Sequence, residues 1–293
     1  MTALSCFLGK RRSAIETQTK ICYNSKKAPL AQKEAGESMN SKSDYIAVFD
    51  SGVGGISVLR QLRAQMPNER FLYYGDSANA PYGTRTVQQI RQLVMAVGTD
   101  LMDRGCKALV VACNTATAAA IDLLRQTWPD RIIVGIEPAL KPAAEHFPGG
   151  CVGVLATPVT LREEKFQHLM QLCQDKCQIV QIPAPGLVEL VEQGKAVSPD
   201  AEELLRPLLE PLKGKLQALV LGCTHYPFAA RSIRAILGDS VVLLDGGEGT
   251  ARETRRRLEQ AGLLWDGPGG IRFESSLPGD GILSLSRSLL EQE

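Results

Sequence analysis

The chain has 293 residues, with 33 basic against 32 acidic side chains, a net charge of +1 and 44% hydrophobic residues. That length accommodates about two domains of ordinary size, and the apolar content is enough for packed cores rather than wholesale disorder. The near-neutral charge offers no electrostatic handle for nucleic acid. No apolar run approaches the roughly 18 residues of a membrane span, so neither kind of partner is expected.

Residues 1–44 differ from the rest. Lys10, Arg11, Arg12, Lys20, Lys26, Lys27, Lys33 and Lys42 face only Glu16, Glu34, Glu37 and Asp44. A secretory signal places basic residues before an apolar stretch, whereas here the apolar stretch Ala3 to Leu8 comes first. The segment reads as a mobile N-terminal extension. The eight cysteines include no CxxC pair, and several lie in apolar, strand-like segments of a chain too long to need staples. They read as reduced thiols in a cytoplasmic protein.

From Tyr45 onward, short apolar runs alternate with helical periodicity. Predicted strands are Ile46–Asp50, Arg70–Gly75, Lys107–Ala112, Arg131–Glu137, Cys151–Ala156, Gln178–Ile182, Gln217–Gly222 and Val241–Asp245. Helical patterns between them include Ile56–Gln65, Val87–Arg104, Thr115–Thr127 and Ala201–Leu212. Such alternation predicts an α/β fold with mainly parallel sheets, and runs such as Ala108 to Ala112 fit strands buried on both faces. The chain also repeats itself. Ala108 to Thr115 (ALVVACNT) aligns with Ala218 to His225 (ALVLGCTH), 110 residues later, and Ile46 to Ser51 aligns with Val152 to Thr157 at nearly the same offset. The simplest account is a duplicated α/β unit: two similar three-layer domains with a site in the cleft between them.

Ligands of open α/β sheets bind beyond the carboxyl ends of strands. Four polar clusters fall there: Asp50-Ser51, Asp76-Ser77, Cys113-Asn114-Thr115 and Cys223-Thr224-His225. Backbone N–H groups at the helix starts that follow suit an anionic group such as a carboxylate. One cysteine at such a position is ordinary packing; two in matching contexts point to chemistry. A thiol at a helix start is expected to have a lowered pKa. Two such groups facing each other would serve opposite faces of one carbon, one removing a Cα proton as thiolate and the other delivering a proton as thiol. That is the geometry of racemisation. Asp50-Ser-Gly-Val-Gly-Gly55 matches neither GxGxxG nor the Walker pattern, so its glycines are expected to bring backbone close to the substrate. Asp50 is either a proton acceptor or amine-orienting group, or a plain helix N-cap. His225, two residues beyond Cys223, is placed either to assist that thiol or to orient the substrate. His146 and His168 lie in ordinary helical contexts, and no second Cys/His pair supports a metal.

These residues resemble glutamate racemase, of the aspartate/glutamate racemase superfamily. The resemblance runs from Tyr45 to about Gly262 and rests on the Asp50–Gly55 run, Pro81-Tyr82-Gly83, Ala112 to Thr115 and Gly222 to His225. It implies interconversion of L- and D-glutamate with no cofactor and no metal, supplying D-glutamate for peptidoglycan. It implies catalysis by Cys113 and Cys223, Cys113 acting on D-glutamate and Cys223 on L-glutamate, assisted by Asp50, His225, Asp76 and Glu192. It also implies substrate contacts from Asp50, Ser51, Tyr82, Gly83, Asn114, Thr115, Thr160, Thr224 and His225. Glu192 equally fits a solvated helix face. The implied domains are 45–137 plus 245–293, and 138–244. A homodimer is compatible with the sequence, which leaves the assembly open. The competing readings are a sister racemase acting on aspartate and a two-lobed small-molecule binding protein.

Overall fold

The computed structural model describes residues 41–292, so most of the predicted N-terminal extension lies outside the described residues. Residues 41–44 form a turn closed by the Asp44 N–H on Ser41 O at 3.1 Å. Two all-parallel sheets follow. The first contains β1 (Ile46–Asp50), β2 (Arg70–Gly75), β3 (Ala108–Val111), β4 (Ile132–Gly135) and, from the far end of the chain, β9 (Gly270–Ser275), in the order β4-β3-β1-β2-β9. The second contains β5 (Cys151–Ala156), β6 (Gln178–Pro183), β7 (Ala218–Leu221) and β8 (Val242–Asp245), in the order β6-β5-β7-β8. Read from the other edge, the second sheet repeats the order of the first four strands, so the sequence repeat corresponds to a repeated topology. The expected α/β architecture with parallel sheets is what the chain adopts.

Each sheet is covered on both faces, which explains its apolar strands. Along β1 and β3, Ile46, Val48, Ala108 and Val110 enter one core while Ala47, Phe49, Leu109 and Val111 enter the other, as strand alternation requires. Helix α1 (Ile56–Gln65), α10 (Gly247–Gln260) and α11 (Gly281–Glu291) contribute to the first core; α2 (Val87–Asp103) and α3 (Asn114–Thr127) contribute to the second. In the second sheet, Leu155, Leu219 and Leu221 pack with α7 (Leu187–Glu192), α8 (Pro199–Leu209) and α9 (Ala230–Leu237). On its opposite face Val152, Val154 and Val220 pack with α4 (Leu140–His146) and α6 (Glu164–Cys173). The short α5 (Pro158–Arg162) starts directly after β5.

The predicted strands overlap β1 to β8; β1, β2 and β5 match residue for residue, β6 runs one residue further, and the other four are trimmed by one or two residues at an end. The unpredicted element is β9, which pairs in parallel with β2 from Arg70↔Gly270 to Gly75↔Ser275. After β8 the chain returns along α10, which packs on α1. At the amino end of β3, Lys107 is fully buried and donates to Glu69 Oε2 at 2.7 Å, to Lys42 O at 2.6 Å and to Leu263 O at 3.0 Å. Glu69 Oε1 accepts the Trp265 N–H at 2.9 Å, so one ion pair ties the entering and returning segments to the bottom of the sheet. Among the described residues no helix is long and apolar enough to cross a membrane.

Candidate active site

In each sheet the chain runs first to one side of its opening strand and then to the other, so β1/β3 and β5/β7 are switch points. Their carboxyl ends are where such folds leave a crevice. Cys113 follows β3 and Cys223 follows β7, topologically equivalent positions. Both line one cavity of about 130 Å³, together with Ser51, Tyr82, Gly83, Asn114, Thr115, Thr160, Thr224 and His225. Thr84, Pro185 and Glu189, also in its wall, are exposed and form its rim. The volume is close to the roughly 150 Å³ of a cavity that holds benzene, which suits a small metabolite.

Cys113 is the N-cap of α3. Its Sγ accepts the Ala116 N–H at 3.4 Å and lies 3.5 Å from Ser51 Oγ. The lowered pKa expected of a thiol at a helix start is not found. Burial pushes the Cys113 thiol up to about 12, the charge of Asp50 adds to this, and hydrogen bonding with Ser51 and the Ala116 N–H offsets only part. At neutral pH Cys113 is a protonated acid. Cys223 is more exposed and precedes a 3-10 turn (Tyr226–Ala229) rather than capping an α-helix. Its Sγ is 3.6 Å from His225 Nδ1, and His225 Nε2 is 2.7 Å from Glu192 Oε1. Burial opposes a charge on His225, but hydrogen bonds and charges from Cys223 and Glu192 hold its pKa well above the ordinary 6.5. Burial raises and His225 lowers the Glu192 carboxyl, which ends below its ordinary value. A protonated His225 ring would donate to Cys223 Sγ from Nδ1 and to Glu192 Oε1 from Nε2.

Of the predicted acidic residues, none lines the cavity. Asp50 is fully buried behind it, accepting from Thr224 Oγ1 at 3.1 Å and from the Gly52 N–H at 3.0 Å. It is not a helix N-cap, since α1 begins after Gly55; burial raises its carboxyl against the pull of His225. Asp76 is fully buried and accepts the Tyr82 hydroxyl at 2.7 Å and the Asn79 amide at 3.0 and 3.1 Å. It fixes the Tyr82-Gly83 wall. Glu192 is half-buried against the His225 ring, where Val53 N–H also reaches Oε1 at 2.8 Å. A solvated face does not describe it; Glu189, one turn earlier, is the exposed carboxylate.

The glycine run serves a different purpose from the one expected. A Cβ on Gly52 would come within 1.8 Å of Glu192 Oε1, and one on Gly54 within 2.3 Å of His225 Nδ1 and 2.6 Å of Thr224 Oγ1. The glycines let the first sheet's loop approach the second sheet's residues. Ser51 alone of that run lines the cavity.

Sequence reasoning missed Thr157, whose hydroxyl caps α5 and is 2.9 Å from Thr160 Oγ1, because a Thr before Pro reads as a simple helix start. The buried Asn114 Oδ1 lacks a hydrogen-bond partner among the described residues and belongs to a residue of the cavity wall. It is a buried acceptor left unpaired beside the cavity. Among the described residues, neither Arg nor Lys lines the cavity, and no three His, Cys, Asp or Glu side chains gather as a metal site.

Two thiols at the switch points of the duplicated parallel sheets line one cavity, and comparison places the chain in the amino-acid racemase class of isomerases. Residues 56–254 match the family model described as Asp/Glu/Hydantoin racemase. The chain is 46% identical over 256 residues to a glutamate racemase of Clostridium acetobutylicum, covering 86% of this chain and 100% of that protein. The structure superposes on a glutamate racemase isoform of Bacillus anthracis with TM-score 0.77 and 30% identity, covering 86% of this chain and 96% of that one. It superposes on the Francisella tularensis glutamate racemase in complex with D-glutamate with TM-score 0.74 and 28% identity, covering 86% and 95%. The chain belongs to the Asp/Glu/hydantoin racemase family.

Proposed function

We propose that the chain interconverts L- and D-glutamate without an added cofactor, by two-base proton transfer between Cys113 and Cys223. The observation that carries the reading is that thiols from topologically equivalent strands line one small cavity. The similarity to glutamate racemases over most of the chain supports glutamate as the substrate. We read the chain as two domains, 45–137 plus 245–293 and 138–244, with the cavity between them, acting in the cytoplasm to supply D-glutamate for peptidoglycan.

In the direction from L-glutamate, the Cys223 thiolate takes the Cα proton. The His225 imidazolium, bonded to Cys223 and backed by Glu192, stabilises that sulfur before transfer. Cys113, held as a thiol, delivers its proton to the opposite face of the carbanion. The product is D-glutamate, with Cys113 now the thiolate and Cys223 the thiol; the reverse reaction exchanges their roles. Asn114 Oδ1 accepts from the substrate ammonium, whose charge favours the nearby thiolate. The N–H groups at the start of α3 and the hydroxyls of Ser51, Thr115, Thr160 and Thr224 receive the carboxylates. Asp50 and Asp76 act from behind the wall, through Thr224 and Tyr82.

The test is incubation of the dialysed protein with L-glutamate, followed by circular dichroism, with L-aspartate in parallel. Decay of the glutamate signal to zero, with aspartate far slower, supports the reading. Comparable kcat/KM for both acids would overturn the substrate, and an unchanged signal with both would overturn the activity.

A further inference from the structure

Thr224 lies between Cys223 and His225, and Asp50, the last residue of β1 of the other sheet, and Ser57 beyond it grip it at two points. Its hydroxyl donates to Asp50 Oδ1 at 3.1 Å, and its carbonyl accepts from Ser57 Oγ at 2.9 Å. Ser57 is the second residue of α1, is buried and is not part of the cavity wall. Its Oγ is equally 2.9 Å from Gly54 O, but a hydroxyl has one proton to give. Gly54 O already accepts the Ser57 backbone N–H at 3.0 Å, whereas Thr224 O has no backbone donor among the described residues. The proton is therefore better used on Thr224 O, where a missing partner would leave a buried carbonyl unpaired.

We propose that Ser57 is a positioning residue that sets Cys223 against Cys113 by holding the Thr224 carbonyl, an inference that rests on the racemase reading above. Cys113 is tied through Ser51 Oγ to the loop that runs from β1 into α1, and Ser57 ties the Cys223 loop to the same segment. Both thiols are thereby referenced to Asp50–Ser57. Gly54 makes this approach feasible, since any side chain there would meet Thr224 and His225. Proton transfer depends steeply on such placement, and a small shift of a catalytic group can cost about 100-fold. Because the grip is on the Cys223 loop, its loss falls on the step that Cys223 performs.

The experiment compares wild type with Ser57→Ala and Ser57→Thr, measuring kcat and KM for both enantiomers and the primary isotope effect with Cα-deuterated L- and D-glutamate. Ser57→Ala is expected to lower kcat about tenfold, with KM changed less than about twofold, since Ser57 does not touch the substrate. The isotope effect should rise for L-glutamate, deprotonated by Cys223, and not for D-glutamate. Ser57→Thr, which keeps the hydroxyl, should restore both. Should the Ala variant lose its fold by circular dichroism, Ser57→Cys, close in size but a weak donor, must show the same losses. A kcat near wild type in a folded variant, or equal isotope-effect changes for both enantiomers, overturns the role of Ser57 while the racemase reading stands. A wild-type chain that does not racemise glutamate overturns both.

Discussion

Replacing Lys107 with Met tests whether the buried ion pair beneath the first sheet joins its two ends. The Lys107 ammonium and the Glu69 carboxylate are 0% and 1% exposed, and the ammonium spends its three protons on Glu69, Lys42 O and Leu263 O. Burial pushes the Lys107 pKa down and Glu69 pulls it only partly back. The pair is therefore a poor source of net stability, but breaking it is costly. Met has no donor, so the variant leaves one carboxylate oxygen and two carbonyls without partners, although Glu69 Oε1 keeps the Trp265 N–H. Removing one partner of such a pair costs about 3–5 kcal/mol. That is a large share of the 5–15 kcal/mol typical of a folded protein. Urea unfolding at neutral pH, followed by far-ultraviolet circular dichroism, should show that loss. Activity of the folded fraction should be unchanged, because Lys107 and Cys113 lie at opposite ends of β3, roughly 20 Å apart along an extended strand. Adding Glu69→Gln should recover part of the loss by removing the stranded charge. A loss below about 1 kcal/mol in the single variant would refute the claim that this pair carries a buried, unsolvated charge.

Iodoacetamide at mildly alkaline pH, mapped by peptide mass spectrometry, should modify Cys223 well before Cys113, which is 6% exposed with its thiol pushed up to about 12; the reverse order would contradict that assignment. Glu192→Gln should lower the titration of His225 followed by NMR, and an unmoved His225 resonance would dissociate the two. The same variant gives a signed stability profile. The raised His225 contributes fully below 6.5 and fades as pH climbs through its higher folded value; the lowered Glu192 contributes above 4.5 and fades as pH falls through its folded value. The urea midpoint difference from wild type should thus be largest between 4.5 and 6.5 and shrink on both sides; a flat difference counts against the pair. Tyr82→Phe should raise KM by several-fold, since it frees the Tyr82-Gly83 wall from Asp76; an unchanged KM would mean the wall holds without it.

What the sequence revealed followed how locally each feature is encoded. Strands buried on both faces, such as β1 and β3, carry near-continuous apolar runs, and the matched contexts of Cys113 and Cys223 disclosed both the duplication and the cavity. Strand β9 was hidden because it is a half-buried edge, with Arg272 and Glu274 inside it. Tertiary placement decided the rest. Glu189 and Glu192 share a helix and a residue type, yet one faces solvent and the other His225; only packing of α7 against the Cys223 loop separates them. The helix-start argument for an acidic Cys113 failed because burial and Asp50 outweigh two hydrogen bonds. Ser57 passed unnoticed, since a serine in a first helical turn normally serves its own backbone.

The most direct test of the two-thiol account is Cα deuterium uptake from heavy water, measured by mass spectrometry for each enantiomer with wild type, Cys113→Ala and Cys223→Ala. Both variants should remain folded, since each thiol borders a cavity and its loss opens little new space. Wild type should return deuterated product from either enantiomer, and neither variant should racemise. Cys113→Ala, with Cys223 intact, should exchange deuterium into L-glutamate alone, and Cys223→Ala into D-glutamate alone. A folded single variant that still racemises near the wild-type rate would reduce that cysteine to packing and contradict the account.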